Sequence, residues 1–234
     1  MTILEHNPVL CVNGFALSSV YEKIKPAYYV LADGAFWADE LPDKTRNFVD
    51  STLEAIATKT QWPMILFVPV SGVSAFKRKK SVLFTHPNIL IQPYNDTVLR
   101  GFKCLVHACL RRNLGILSQQ NVLIPSIILA INMRYKRVII LGADHSWHRN
   151  LFVNNENQVC LIDEHFYDEG KNPVPLMIGS RPSRLHEQFE SIAKTLRIYW
   201  EITDYAQKYK AIVINASEVS FIDAFPRAKL QELF

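Results

Sequence analysis

A cluster of polar and aromatic side chains follows an apolar run in the second half of the chain. The run is VIIL at residues 138–141, and Asp144, His145, Ser146 and Trp147 come shortly after it. An unbroken apolar run of this kind predicts a strand buried on both faces of a parallel sheet. Ligands of open α/β sheets bind beyond the carboxyl ends of the strands. These four residues are therefore candidate donor- or substrate-binding groups.

Three other apolar segments also end on a polar residue. The residues are Asn13, Asp33 and Asn215. If all the strands are parallel, these side chains gather with Asp144 on one rim, where they can hydrogen-bond the hydroxyls and amides of a sugar or nucleotide. Each residue by itself is equally typical of a turn, because Asn and Asp are strong turn formers. For each of the four residues, a ligand-binding role and a turn-forming role are both consistent with the sequence.

A histidine near the start of a long predicted helix is a candidate general base. Ser183 is expected to cap this helix, which places His186 in the first turn. The positive end of the helix dipole disfavours imidazolium there, so the ring stays neutral and able to accept a proton. A surface histidine without a role is the alternative.

Other reaction classes lack their sequence signatures. The chain contains no GxSxG, GxGxxG or P-loop motif, which leaves nucleophilic hydrolysis and the common nucleotide fingerprints unsupported. The histidines and carboxylates that invite a metal interpretation match no established ligand spacing, so we expect no metal site. They are Asp144, His145, His148, Asp163, His165 and Asp168.

The elements that must position these residues alternate between strands and helices. Strands are predicted at residues 8–17, 26–33, 64–70, 138–141 and 211–216, and helices at residues 45–60, 97–110, 121–134 and 183–209. This order predicts a single three-layer α/β domain over residues 1–234 with a mainly parallel, Rossmann-like sheet.

Four segments carry more specific expectations. Residues 77–94 are predicted to form two short strands, or one. Pro125 is tolerated only in a first helical turn, so its helix should begin near Leu123 or Ile124. Asn121, just before it, joins the donor-binding candidates. A hairpin at residues 151–163 is expected within an insertion, residues 150–182, that forms a small lid. A short helix, interrupted at Pro226, is expected to end the chain.

Composition limits the partners and the compartment. With 49% hydrophobic residues, the 234-residue chain can bury a large core, and a net charge of only +4 does not favour a nucleic-acid partner. Four cysteines without CxxC spacing predict free thiols in a reducing compartment. The sequence shows neither a spanning apolar stretch nor a secretion signal, so we expect a cytoplasmic protein, with peripheral attachment to the inner face of a membrane left open.

Three segments together resemble a known family. CVNGFA at residues 11–16, YYVLAD at residues 28–33 and YKRVIILGADHSW at residues 135–147 resemble the bacterial lipo-oligosaccharide sialyltransferases of glycosyltransferase family 42, and related proteins with a pterin-diphosphokinase-like domain. The third segment is the most specific, because the family has G-Y-K-E-I-Y-L-x-G-x-D there. The matching residues are Tyr135, Lys136, Val138, Leu141, Gly142 and Asp144.

The resemblance implies a GT-A-variant-like fold and a metal-independent, inverting transfer of a sugar, such as sialic acid, to a surface glycan. The donor would be a nucleotide sugar, such as a CMP-linked one, and no further cofactor is implied. Asn13 corresponds to an asparagine that contacts the nucleotide, Asp144 and Ser146 to polar positions after the central strand, and His186 to the general base.

The chain also departs from the family pattern. Arg134 replaces a glycine before Tyr135, and Trp147 stands near the place of an aromatic hydroxyl that assists the phosphate. We expect the family's first strand and its N-G-P-S-L donor turn to be missing. That loss would leave the donor site incomplete and expose a sheet edge, from which we expect reduced stability or homo-oligomerisation.

Two other functions are kept as alternatives. One is a non-catalytic nucleotide- or glycan-binding protein. The other is a diphosphokinase-like transferase, which would need carboxylate-bound Mg²⁺.

Overall fold

The chain forms two compact units. A computed structural model describes residues 4, 6–79, 81–161, 174–179 and 181–234. Contacts within the chain separate residues 1–135 from residues 136–234. The sequence predicts one domain over the same residues.

The first unit is built on a four-stranded parallel sheet with helices packed against it, as the expected Rossmann-like fold requires. The strands pair in sequence order, and all neighbours are parallel. They are β1 (Leu10–Val12), β2 (Tyr28–Val30), β3 (Met64–Pro69) and β4 (Ile89–Tyr94). The helices are α1 (Tyr21–Ile24), α2 (Asp43–Lys59), α3 (Val70–Lys79), α4 (Ser81–Phe84), α5 (Lys103–Arg111) and α6 (Leu123–Asn132).

Apolar periodicity explains the packing of this unit. In α2, Val49, Leu53 and Ile56 follow the helical repeat and are buried. Burying each of these side chains stabilises the fold by about 1.5–3 kcal/mol. They join a core that contains Tyr29 and Leu66 of the sheet. The carboxyl ends of β1 and β2 are therefore held in a fixed position.

The second unit contains a parallel strand pair, a long helix and two small antiparallel sheets. Its elements are β5 (Arg137–Ile140), β6 (Leu151–Val153), β7 (Val159–Leu161), β8 (Val174–Pro175), β9 (Met177–Ile178), β10 (Arg181–Pro182), α7 (Leu185–Lys208) and β11 (Ile212–Asn215). β11 pairs with β5 in parallel, and β7 pairs antiparallel with β6 and β8. β9 and β10 form a separate antiparallel pair. The hairpin expected at residues 151–163 is confirmed for its two strands.

Strand β5 differs from the expectation of burial on both faces. Arg137 is exposed, Val138 and Ile139 are half-buried, and Ile140 is buried. Among the described residues β5 pairs with one strand, β11. An apolar run alone does not report how many neighbours a strand has, and this prediction was wrong.

Three predicted elements differ in type or length. The segment SVLF is the helix α4, not a strand; four residues are too few to show a period, and Leu83 is buried from a helical backbone. The helix predicted from residue 97 begins at Lys103, because Val98 instead bridges Ile116 in extended backbone. The predicted C-terminal helix is limited to a 3-10 turn, Leu230–Glu232.

The backbone at Gly115, after α5, closely approaches the backbone at Thr97, before α5. A Cβ built on Gly115 lies 2.5 Å from the backbone oxygen of Thr97, whereas one built on Gly34 meets no atom within 4 Å. The N–H of Ile116 donates to the same Thr97 oxygen at 2.8 Å. A side chain at residue 115 would therefore push this bridge apart.

We predict that Gly115→Ala lowers the free energy of unfolding by about 1–3 kcal/mol, the usual cost of overpacking. Gly34→Ala is the matched control and should change it by less than about 0.5 kcal/mol. Urea unfolding followed by circular dichroism measures both variants. Equal stability of the two would contradict the geometry.

Candidate functional site

The loop after β5 is tied to the loop after β11. The Ala143 N–H donates to the Ser217 hydroxyl at 2.9 Å, and the Ser220 hydroxyl donates to the Ala143 carbonyl at 2.6 Å. The Phe221 N–H donates to the Asp144 carbonyl at 2.8 Å. Since β5 and β11 are parallel, both loops leave the same edge of the strand pair, and these bonds fix the backbone of Asp144 there.

Asn215 supports this arrangement and does not face a ligand. Its side chain is fully buried, accepts from the Ser217 N–H at 3.1 Å and donates to the Ser220 hydroxyl at 2.8 Å. These contacts therefore support the interpretation of Asn215 as a turn residue.

Asp144 presents an ionised carboxylate at the surface of the loop. The Ser146 hydroxyl donates to it at 2.5 Å. Partial burial works against ionisation, but the hydrogen bonds from Ser146 and from backbone N–H groups keep the pKa of Asp144 below its ordinary value. The oxygens of Asp144 and Ser146 can accept hydrogen bonds from the hydroxyls of a sugar.

His145 is a buried support for the loop. Its Nε2 lies 2.5 Å from the hydroxyl of the buried Tyr199, and its ring is 4.3 Å from the ring of Trp147. Its φ of +57° puts it in the left-handed region. Burial lowers the pKa of His145 to about 4, against the opposing effect of Asp144, so the imidazole is neutral at neutral pH.

The remaining side chains of the loop form an aromatic and basic surface. Trp147 is partly exposed, with 38% of its surface accessible. The ring of His148 meets the edge of Phe221 at 4.5 Å, and the guanidinium of Arg149 lies 4.5 Å from the same ring.

His186 lies in the first turn of α7, as the sequence predicts, but the cap differs. The N-cap residue is Arg184, not Ser183. The Glu187 carboxylate accepts from the Arg184 N–H at 2.8 Å and pairs with Arg181, so it supplies the capping contact that was expected from the serine. Ser183 instead accepts from the side chain of Gln188.

The position of α7 determines what His186 can reach. α7 ends at Lys208, and a short turn leads into β11, so the helix runs back along the strand pair. Tyr199 touches the loop after β5, and His186 lies about 20 Å farther along the helix axis at 1.5 Å per residue. His186 therefore lies beyond the carboxyl end of the strand pair, the end that carries Asp144, but not next to Asp144.

In the first unit, Asn13 has an unusual environment. It begins a 3-10 turn, Asn13–Leu17, directly after β1, with φ at +44°. The Tyr29 hydroxyl donates to the Asn13 carbonyl at 2.5 Å and accepts from the Ala16 N–H at 2.9 Å. The side-chain Oδ1 of Asn13 is buried and has no hydrogen-bond partner among the described residues. Buried acceptors of this kind are rare in folded proteins.

Two other candidates have structural contacts. Asp33 follows β2 and accepts from the Ala35 N–H at 2.9 Å, so it caps a 3-10 turn, Gly34–Phe36. The Asn121 side chain accepts from the N–H groups of Leu123 and Ile124 at 3.0 and 3.3 Å. Asn121 therefore satisfies the start of α6, which begins at Leu123 as predicted.

A cavity of about 760 Å³ lies at the other end of the first sheet. It is lined by residues before β1 and β2, including His6, Asn7, Glu22 and Lys25. These residues are at the amino ends of the strands, whereas Asn13 and Asp33 are at the carboxyl ends. Ligands of parallel sheets bind at the carboxyl ends of the strands, which favours the end that carries Asn13 and Asp33 over this cavity.

Within the described ranges no three His, Cys, Asp or Glu side chains come together as a metal-binding group. Asp163, His165 and Asp168 lie outside the described residues. In the same part of the chain, no helix combines the length and apolar character needed to cross a bilayer.

The sequence does not identify the residues that hold the turn after β1 and the loop after β5. Tyr29, Tyr199, Ser217 and Ser220 make the bonds described above, and none was a candidate. The only available signal was Ser217 and Ser220 following a strand that ends at Asn215, in a stretch rich in turn-forming residues. The tyrosines carry no such signal, because an aromatic in an apolar pattern predicts only core packing.

Comparisons with protein-family models, with curated proteins and with solved structures gave no match for this chain.

The buried His145 predicts acid-sensitive stability. Its pKa is lower in the folded chain than the usual 6.5, so the unfolded chain binds the additional proton between these values. We expect the free energy of unfolding to fall by about 2–3 kcal/mol as the pH drops from 7 to 4, and to be independent of this residue above pH 7.

His145→Gln should flatten that pH dependence, because Gln can hydrogen-bond Tyr199 without titrating. Urea unfolding at pH 7, 5.5 and 4.5 measures the effect. An identical slope in the variant and the unchanged protein would assign the acid sensitivity to other groups.

Proposed function

We propose that this chain is a nucleotide-sugar-dependent transferase of the sialyltransferase-like, GT-A-variant-like class. The donor nucleotide binds at the carboxyl end of the first parallel sheet. The observation that carries the proposal is the buried Oδ1 of Asn13, which has no hydrogen-bond partner in the described part of the chain. Leaving such an acceptor unpaired costs about 1–3 kcal/mol, which a ligand N–H or O–H donor would recover.

The segment around Asn13 gives further support. β1 leads into NGFAL, which shares its Asn, Gly and Leu with the N-G-P-S-L donor turn of the family that the chain resembles. We propose that residues 13–17 take the place of that turn. Tyr29 holds the backbone of these residues through the Asn13 carbonyl and the Ala16 N–H.

The loop after β5, within the second unit, carries groups suited to binding a sugar. The ionised Asp144 would repel a phosphate but accept hydrogen bonds from sugar hydroxyls, and Ser146 orients it. Arg149 in the same loop provides a positive group.

The general base is assigned to His186, on the resemblance. It lies in the first turn of α7 and is exposed. It would accept the proton of the acceptor hydroxyl as that oxygen attacks the sugar.

Donor binding is tested by ligand-induced thermal shifts. We predict that CMP- or UDP-linked ligands raise the melting temperature, and that Asn13→Gly abolishes most of the rise. Glycine is chosen at residue 13 because it removes the side chain and tolerates the positive φ. Asn157→Gly is the matched control, since Asn157 also has a positive φ, +57°, in an exposed hairpin turn.

A rise that survives in Asn13→Gly, or no rise with any ligand, would contradict the proposal. A binding shift without sugar transfer to any acceptor would favour the non-catalytic alternative. A strict requirement for added Mg²⁺ would favour the diphosphokinase-like transferase.

The base assignment has its own test. His186→Ala should lower kcat about 100-fold or more while leaving the donor-induced thermal shift unchanged, because proton removal from the acceptor is separate from donor binding. His148→Ala is the control, since this histidine lies in the Asp144 loop. Loss of turnover in His148→Ala with full turnover in His186→Ala would place the base in the loop.

A further inference from the structure

One face of α5 exposes large apolar side chains to solvent. Phe102, at the N-cap of α5, is 79% exposed and Leu105 is 62% exposed. Residues three or seven apart lie on the same side of a helix, so Phe102, Leu105 and Arg112 share one side. We call Arg100, Phe102, Lys103, Leu105 and Arg112 the α5 surface; all five are exposed.

The opposite face of α5 is firmly packed. His107 and Leu110 are buried. The Asn132 side chain donates to the Leu110 carbonyl at 2.8 Å, and the Arg111 guanidinium donates to the Ile131 carbonyl at 3.0 Å. The helix is therefore held on α6 by its inner face, and exposure of Phe102 and Leu105 is not a consequence of a loose helix.

The charged residues in and next to α5 along the sequence are all basic. No Asp or Glu occurs between residues 97 and 143, whereas Arg100, Lys103 and Arg112 are exposed within it. The acidic residue just before this stretch, Asp96, accepts a hydrogen bond from the Ser71 hydroxyl at 2.5 Å. Exposed apolar side chains among basic ones match a surface that is anionic outside and apolar beneath.

We propose that the α5 surface docks on a membrane containing anionic phospholipid. Phe102 and Leu105 would enter the boundary between headgroups and acyl chains, and the basic side chains would contact the phosphates. A second copy of this chain is a poorer occupant, because the same three basic residues would face one another across the contact. The proposal does not rest on the transferase function, and its test uses no sugar nucleotide.

Vesicle co-sedimentation tests the proposal with the intact chain. We expect binding to vesicles in which about a third of the lipid is phosphatidylglycerol, weak binding to pure phosphatidylcholine vesicles, and loss of binding at high salt. Inorganic phosphate at millimolar concentration should not compete, since a free phosphate supplies no apolar phase.

A pair of matched variants separates the apolar contribution from general surface effects. Leu105→Ser should weaken binding to the anionic vesicles about fivefold or more, and Phe102→Ser with Leu105→Ser should abolish it. Leu90→Ser is the control, because Leu90 is 61% exposed on β4 and lies outside the α5 surface. Circular dichroism should show all variants folded.

Three results would overturn the proposal. They are the absence of binding to anionic vesicles, an equal loss of binding in Leu90→Ser, and Phe102-dependent self-association of the chain in sedimentation velocity. The last result would identify a second copy as the occupant.

Discussion

Parallel pairing of strands is the constraint on which the candidate site depends. In each unit it sends consecutive loops to the same edge: the turns after β1 and β2 in the first unit, and the loops after β5 and β11 in the second. Polar residues that are far apart in sequence become neighbours for this reason. Ser217 and Ser220 then fix the backbone of Ala143, which lies more than seventy residues earlier.

Buried polar groups distinguish the supports from the candidate contacts. His145 and Asn215 are buried and hydrogen-bonded, so their side chains stabilise the loops. Asn13 also has a buried side-chain oxygen, but that oxygen lacks a partner among the described residues. Unpaired burial is unfavourable in the folded state, and a ligand that donates a hydrogen bond removes the cost. This difference makes Asn13 the central residue of the proposed donor site.

The sequence predicts the parts of the fold that have a strong local cause. Apolar runs and helical repeats locate β3, α2, α7 and β11, and Pro125 locates the start of α6 at Leu123. Prediction from the sequence fails where contacts between residues distant in sequence determine the local structure. Val98 pairs with Ile116 although its spacing suits a helix, and the short SVLF segment is helical. The candidate residues follow the same rule: the sequence points to Asn13 and Asp144 by their place after strands, but not to Tyr29 or Tyr199, whose hydrogen bonds depend on partners distant in sequence.

The most direct test of the account is a crystal structure of the chain with CMP or UDP bound. The account predicts a nucleotide at the Asn13–Leu17 turn, with an N–H or O–H group donating to Asn13 Oδ1 at about 2.7–3.2 Å. A nucleotide bound instead in the cavity at the amino ends of β1 and β2, beside His6 and Lys25, would contradict it.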